Sequence, residues 1–333
     1  MNKYKIGIQN NELGERGGIG TYSQRLCDSL NNLKKDKQGN DVEVEAYQFV
    51  GKPQKDTDVI SIQYEPGLMP PQNLQYFLQK YTQPIAVTVH HTGYLPQMWG
   101  AIDGLHFHSL NQFEDYEEQP WSKRIIPHPA LVFPEKDKNE LRKKYGLPKD
   151  KKILGTFGFI TGTGKNLPDT VDSILMQLKD DEFLYLGTAF WKGGDMGRKE
   201  HIESVVKKYG KENNFRLDTD FVSSEELNEK MQACDILWAW CAVGPNAKGS
   251  QSGIAADMYG SRRKLVVKDS SHYSFIGQQD KVTIGREDPH EFINDVFDVL
   301  RKGDLNDTQN PEWLSWDNQA VEYLDYFQEL LGE

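Results

Sequence analysis

What most restricts the folding of this chain is a rhythm. Short β-rich runs alternate with helical patterns through almost the whole sequence, the signature of parallel sheets closed by crossover helices. Two such series separate. The first holds strand-like runs at 4–8, 42–49, 59–63, 85–89 and 104–108, with helices expected at 22–33 and 72–81, and it ends near 125–129. A Pro-punctuated, charged stretch at 134–150 with one short helix around 138–145 reads as the connector. The second series opens with a strand at 152–158 running into a Gly-rich turn. It continues with a helix at 169–178, a strand at 183–186, helices near 200–209 and 224–233, and strands at 236–240 and 265–267. The tail places Trp316, Ala320, Tyr323, Leu324, Phe327 and Leu331 on one helical stripe. The expected fold class is α/β, with two Rossmann-like doubly wound domains and a cleft between them, because each sheet collects its binding loops at the carboxyl ends of its strands.

Length agrees with two domains: 333 residues is about twice a typical domain of ~150 residues. The formal net charge of −11 sets a field that repels polyanions, so nucleic-acid binding would need a local basic strip. Lys207-Lys208 and Arg262-Arg263-Lys264 are such clusters, but ordinary solvation of helix faces explains them as well. No apolar run approaches the ~20 residues of a membrane-spanning helix. The opening residues read as a first strand, not a secretion signal. Cys27, Cys234 and Cys241 are odd in number and lack zinc spacing, so buried thiols in a reducing cytoplasm are expected.

Several loops at strand ends carry chemistry. Gly17-Gly18-Ile19-Gly20 precedes a helix, where backbone amides favour an anion or a sugar hydroxyl; taken alone, a tight turn explains it better. It is not the spaced GxGxxG of dinucleotide binding. His90 and His91 follow the run 85–89, a carboxyl-end position from which an imidazole can meet a hydroxyl or a phosphate. Glu65 sits equivalently after 59–63, as a site carboxylate or a solvated loop residue. Gly158, Gly162 and Gly164 let their loop fold tightly and aim Lys165 at a diphosphate, although Asn166 stands where a P-loop needs a hydroxyl. The stretch Ser250-Gln251-Ser252-Gly253 opens a helix with unpaired amides, a second anion site. Asp257, one turn further on, can chelate two ribose hydroxyls or simply compensate the helix dipole. Asp218-Thr219-Asp220 has the form of a metal-holding DxD but reads as a solvated loop.

These segments, in this order, resemble the retaining glycosyltransferases of family 4, which have the GT-B fold. The likeness runs through GGIGTYSQRL, DVISIQYEPGL, PIAVTVHHTG, DGLHFHS, RIIPHPAL, ILGTFGFITGTGKNLPD, FVSSEELNEKMQACDILW, SQSGIAADM and SWDNQAVEYLDYF. The resemblance implies an acceptor domain at 1–134, a nucleotide-sugar domain at 150–305, and a last helix within 313–333 that returns to the first domain. It implies that Gly17 and Gly18 line the diphosphate and acceptor side, that His90 touches the transferred sugar, and that Lys165 neutralises the diphosphate. Ser252 and Gly253 then present amides to the diphosphate, and Asp257 binds the ribose. Two departures stand out. Gly249 occupies the place of an acid that grips the sugar ring, and the arginine that often accompanies the loop lysine is missing among Phe159, Ile160 and Thr161.

The expected function is transfer of a hexose from a UDP- or GDP-sugar to an acceptor hydroxyl with retention, without a metal or other cofactor. Charge growing on the departing diphosphate would be stabilised by Lys165 and the amides at Ser252-Gly253. No carboxylate pair is placed for double displacement, which favours front-face attack with His90 orienting the sugar. A nucleotide-sugar epimerase or hydrolase of the same fold, and a non-catalytic nucleotide-sugar sensor, are the competing readings. A glycan, lipid-linked or protein acceptor is open, and a modified DNA base is disfavoured by charge.

Overall fold

The computed structural model describes residues 1–11, 17–65, 67–90, 102–114, 121–160, 168–190, 196–243, 251–303, 305 and 310–333. The chain forms two compact units. The first comprises Met1–Pro129 with Trp313–Glu333, and the second lies within Ala130–Glu312.

In the first unit the order is β1 (Asn2–Gln9), α1 (Gly18–Asn32), β2 (Val42–Phe49), β3 (Val59–Tyr64), α2 (Pro71–Leu78), β4 (Ile85–Val89), β5 (Gly104–Phe107), α3 (Leu110–Glu114) and β6 (Ser122–Ile125). The six strands are all parallel in the order β2-β1-β3-β4-β5-β6. The strand order reverses between β1 and β3, and in such sheets the ligand crevice lies outside the carboxyl ends at that reversal. Helix α11 (Trp316–Leu331), capped at Ser315 by a hydrogen bond from the Asn318 N–H, belongs to this unit and packs on α1. Its apolar stripe is the one visible in the sequence.

Strand periodicity sorts β3, β4 and β5 into two faces. Ile60, Ile62, Tyr64, Ile85, Val87, Val89, Leu105 and Phe107 fill one apolar core with Leu74 and Leu78 of α2. The opposite face carries four buried polar side chains, Ser61, Gln63, Thr88 and His106. Strands buried on both faces are ordinarily near-continuous Val, Ile and Leu. This row is the departure from that pattern, and register makes it continuous, since Gln63 pairs with Thr88 and Thr88 with His106.

The second unit contains α4 (Lys138–Tyr145), β7 (Lys152–Ile160), α5 (Pro168–Gln177), β8 (Glu182–Phe190), α6 (Met196–Lys208), β9 (Phe215–Asp218), α7 (Ser224–Gln232), β10 (Ile236–Ala239), α8 (Gly253–Gly260), β11 (Lys264–Lys268), α9 (Ser274–Gly277), β12 (Val282–Gly285) and α10 (Pro289–Lys302). Its parallel order β12-β11-β10-β7-β8-β9 is the dinucleotide-fold order, with the reversal between β7 and β10. Leu154, Leu184, Trp238 and Val266 from the sheet meet Ile174 and Leu175 of α5 and Phe292, Val296 and Leu300 of α10 in one core. The sequence reading stops short of β12 and α10. It also shortens β8, which extends through 190 because its whole length pairs with β7. All three cysteines are buried and free.

Candidate active site

Each unit carries candidate site residues at its sheet's carboxyl end. In the first unit, Gly17 is the N-cap of α1 and offers no side chain to the helix start, and the first turn holds no acid. The Gly17 carbonyl accepts from the Thr21 N–H at 3.0 Å. A Cβ built on Gly18 would meet nothing within 4 Å, so packing does not demand a glycine there. What the residue contributes is open space at the positive end of a fifteen-residue helix. Glu65 closes its own turn: its Oε2 accepts from the Leu68 N–H at 2.9 Å, and its carbonyl accepts from the Leu68 and Met69 N–H groups.

His90 leaves the end of β4 and is half-buried. Its Nε2 lies 2.9 Å from Gln63 Oε1. Three further imidazoles gather nearby. His90 and His108 have ring centroids 5.4 Å apart, His106 and His108 are 4.7 Å apart, and His108 and His128 are 5.2 Å apart. Tyr22, one turn into α1, stands edge-on to His90, His108, His128 and Trp316. Its hydroxyl is hydrogen-bonded to the Tyr323 hydroxyl of α11, which reaches His106 Nε2 at 3.3 Å. The buried indole N–H of Trp316 has no hydrogen-bond partner among the described residues. Burial, reinforced by His128 and His106, holds His90 well below the ordinary histidine range. Burial likewise depresses His106 to about 3 against the opposing pull of the Ile126 carbonyl, and it depresses His108. Sequence reasoning singled out His90 and not His106, His108, His128, Tyr22 or Gln63. The available signal was the His-x-His spacing of 106 and 108, which strand periodicity sets on one face.

In the second unit, the end of β7 and the start of α8 touch. Gly158 has φ +111°, the left-handed region, and a Cβ there would come within 3.0 Å of Ile254 at the second position of α8. β7 therefore passes beside the α8 amino terminus. Ser252 caps α8: its Oγ accepts from the Ala255 N–H at 3.4 Å, and its own N–H donates to the His272 carbonyl at 3.1 Å. The Gly253 and Ile254 N–H groups have no acceptor within the helix. Asp257 is buried, and its Oδ1 accepts from the Leu131 N–H at 2.8 Å, tying the chain entering this unit to α8. Gly162, Lys165, His91 and Gly249 lie outside the described residues.

Lys268, unremarked in the sequence, ends β11 as a buried ammonium. Its Nζ donates to the Cys241 carbonyl at 2.9 Å and the Val243 carbonyl at 3.2 Å, and it lies 5.0 Å from the Trp240 ring centroid. It pins the backbone leaving β10 toward α8. Asp218, read from sequence as a solvated loop, instead ends β9. It accepts from Tyr185 Oη at 2.7 Å, and it pairs with Arg216 at 2.7 Å and Lys230 at 3.0 Å. Burial opposes its ionisation, but Arg216, Tyr185 and Lys230 together hold its carboxyl below the usual range. Among the described residues no group of three His, Cys, Asp or Glu side chains is arranged to hold a metal ion, and no helix is long and apolar enough to cross a membrane.

Neither a protein-family model nor a curated protein sequence matches the chain. Solved structures do. Sucrose-phosphate synthase from Thermosynechococcus elongatus superposes with a TM-score of 0.71 at 12% identity, over 99% of each chain. A glycosyltransferase from Rickettsia africae gives 0.71 at 10% identity, again over 99% of each. Anabaena HepE, solved with UDP and glucose, gives 0.64 at 11% identity over 99% of this chain and 97% of that one. The fold of this chain is thus GT-B, the α/β architecture of these glycosyltransferases.

Proposed function

We propose that the protein is a retaining glycosyltransferase, akin to family 4, that moves a hexose from a UDP- or GDP-sugar to an acceptor hydroxyl without a required metal. The observation that carries this reading is the meeting of the β7 end with the capped start of α8 at the reversal point of the second sheet. The amides of Gly253 and Ile254 offer an anion site there, and in this reading Lys165, seven residues beyond Gly158, supplies its cation. HepE, solved with UDP and glucose, supports a nucleotide-sugar as the ligand. Lys165 and the amides then stabilise charge arising on the diphosphate as the glycosidic bond breaks. His90 orients the sugar, Gly17, Gly18, Glu65 and His91 border the acceptor side, and Gly162 gives the lysine loop its turn. In this reading Asp257, steadied by the Leu131 N–H, binds the ribose. The acceptor is a soluble hydroxyl compound, and nucleic acid is disfavoured.

The test is a thermal-shift screen of UDP-, GDP- and ADP-sugars, followed by nucleotide release with and without candidate acceptors. One donor is expected to raise Tm, and Lys165→Ala is expected to slow transfer about 10²–10³-fold, as loss of a preorganised transition-state charge partner does. Sugar turnover from donor alone would favour an epimerase or hydrolase. Stabilisation without turnover under any acceptor would favour a sensor.

A further inference from the structure

We propose that Gln63 is a positioning residue that locks His90 in the Nε2–H tautomer, so that the ring offers Nδ1 to a ligand purely as a hydrogen-bond acceptor. The assignment follows from one group that can only accept, the Ile126 carbonyl, which His106 Nε2 approaches at 3.0 Å. A bare Nε2 there would set two lone pairs against each other, so Nε2 carries the proton. His106 is neutral near pH 7, which leaves its Nδ1 bare. The Thr88 hydroxyl, 3.3 Å away, must then donate to it.

With its proton committed, Thr88 Oγ1 accepts from Gln63 at 3.3 Å. The Gln63 atom on that side is therefore the amide nitrogen, whose second hydrogen reaches Ser61 Oγ at 2.9 Å. That turns Gln63 Oε1 toward His90 Nε2 at 2.9 Å, and an amide oxygen cannot donate. The proton of neutral His90 thus sits on Nε2. Ser61, Gln63, Thr88 and His106 are all at least 97% buried, so the network exchanges no partner with solvent. The hydroxyl that His90 receives must donate, a consequence that rests on the glycosyl-transfer reading; the tautomer does not rest on it.

Long-range ¹H–¹⁵N NMR of the full chain labelled with ¹⁵N-histidine reads the tautomer of each ring at neutral pH. The expected result is His90 protonated on Nε2 in the wild type, shifting to a tautomer mixture in Gln63→Leu. In Gln63→Glu, which keeps an acceptor facing the ring, Nε2–H is retained. A wild-type His90 protonated on Nδ1 overturns the proposal, as does a tautomer unmoved by Gln63→Leu in a protein whose other histidine signals persist. For the ligand, replacing donor-sugar hydroxyls one at a time by fluorine is expected to lower kcat/KM about tenfold at a single position in the wild type and not in Gln63→Leu. Equal losses in both proteins would remove His90 as the recipient of that hydroxyl and leave the NMR result standing.

Discussion

Neutral imidazoles in a buried cluster make the first unit sensitive to acid. His90, His106 and His108 all titrate below their ordinary range because burial disfavours the charged ring. Unfolding releases them to a pKa of about 6.5, so below that pH the unfolded chain binds protons that the native chain refuses. Stability therefore falls as pH drops, by up to ~1.4 kcal/mol per pH unit for each such ring, or roughly 4 kcal/mol per unit for three. Denaturant unfolding between pH 7.5 and 5 is expected to show this decline, and a flat profile would contradict the neutral cluster. Only His90 of these three was marked as functional from the sequence. A strand-end position is legible in one dimension, whereas the contact of His106 with Tyr323 joins residues far apart in the chain. Asp257 shows the opposite limit. Its place one turn into a helix was visible, but its partner Leu131 lies 126 positions away.

Among elements, cross-strand register is what the sequence conceals. The runs containing Gln63, Thr88 and His106 were each recognisable as strands, yet nothing in them says that the three side chains form one row. Helix starts were more legible because their signals are local: Ser223 accepts from the Glu226 N–H and Asp137 from the Glu140 N–H, each three residues on. Joints between elements rest on buried charge. Asp235, at the entry to β10, accepts from Arg142 of α4 at 2.6 Å and from the Ile153 N–H of β7 at 2.7 Å, and it pairs with Lys138 at 2.5 Å. Asp235→Ala leaves the Arg142 guanidinium, itself buried, without its carboxylate. It is expected to lower the unfolding free energy by about 3–5 kcal/mol, measured by denaturant titration. A second joint, α11 on β5, is steric: a Cβ at Gly104 would fall 2.1 Å from the Tyr326 hydroxyl, which donates to the Leu105 and Ser122 carbonyls. Gly104→Ala should cost ~1–3 kcal/mol by overpacking and lower Tm, whereas an unchanged Tm would mean that α11 shifts freely on this sheet.

For the molecule as a whole, the doubly wound organisation was legible because it depends only on alternating patterns and their lengths. Structures sharing 10–12% of residues with the chain keep that architecture, so the pattern, not the residue identities, specifies the fold. The proposed chemistry rests on a few positions at the carboxyl ends of the strands. A ligand that binds only the native state stabilises it by about 2.7 kcal/mol at one hundred times its Kd, which makes the correct donor recognisable by Tm alone. The most direct test of the account is a crystal structure with an intact UDP- or GDP-hexose. The account predicts the diphosphate within hydrogen-bonding reach of the Gly253 and Ile254 amides and of the Lys165 ammonium. A nucleotide-sugar bound away from the start of α8, or a diphosphate untouched by Lys165, would contradict it.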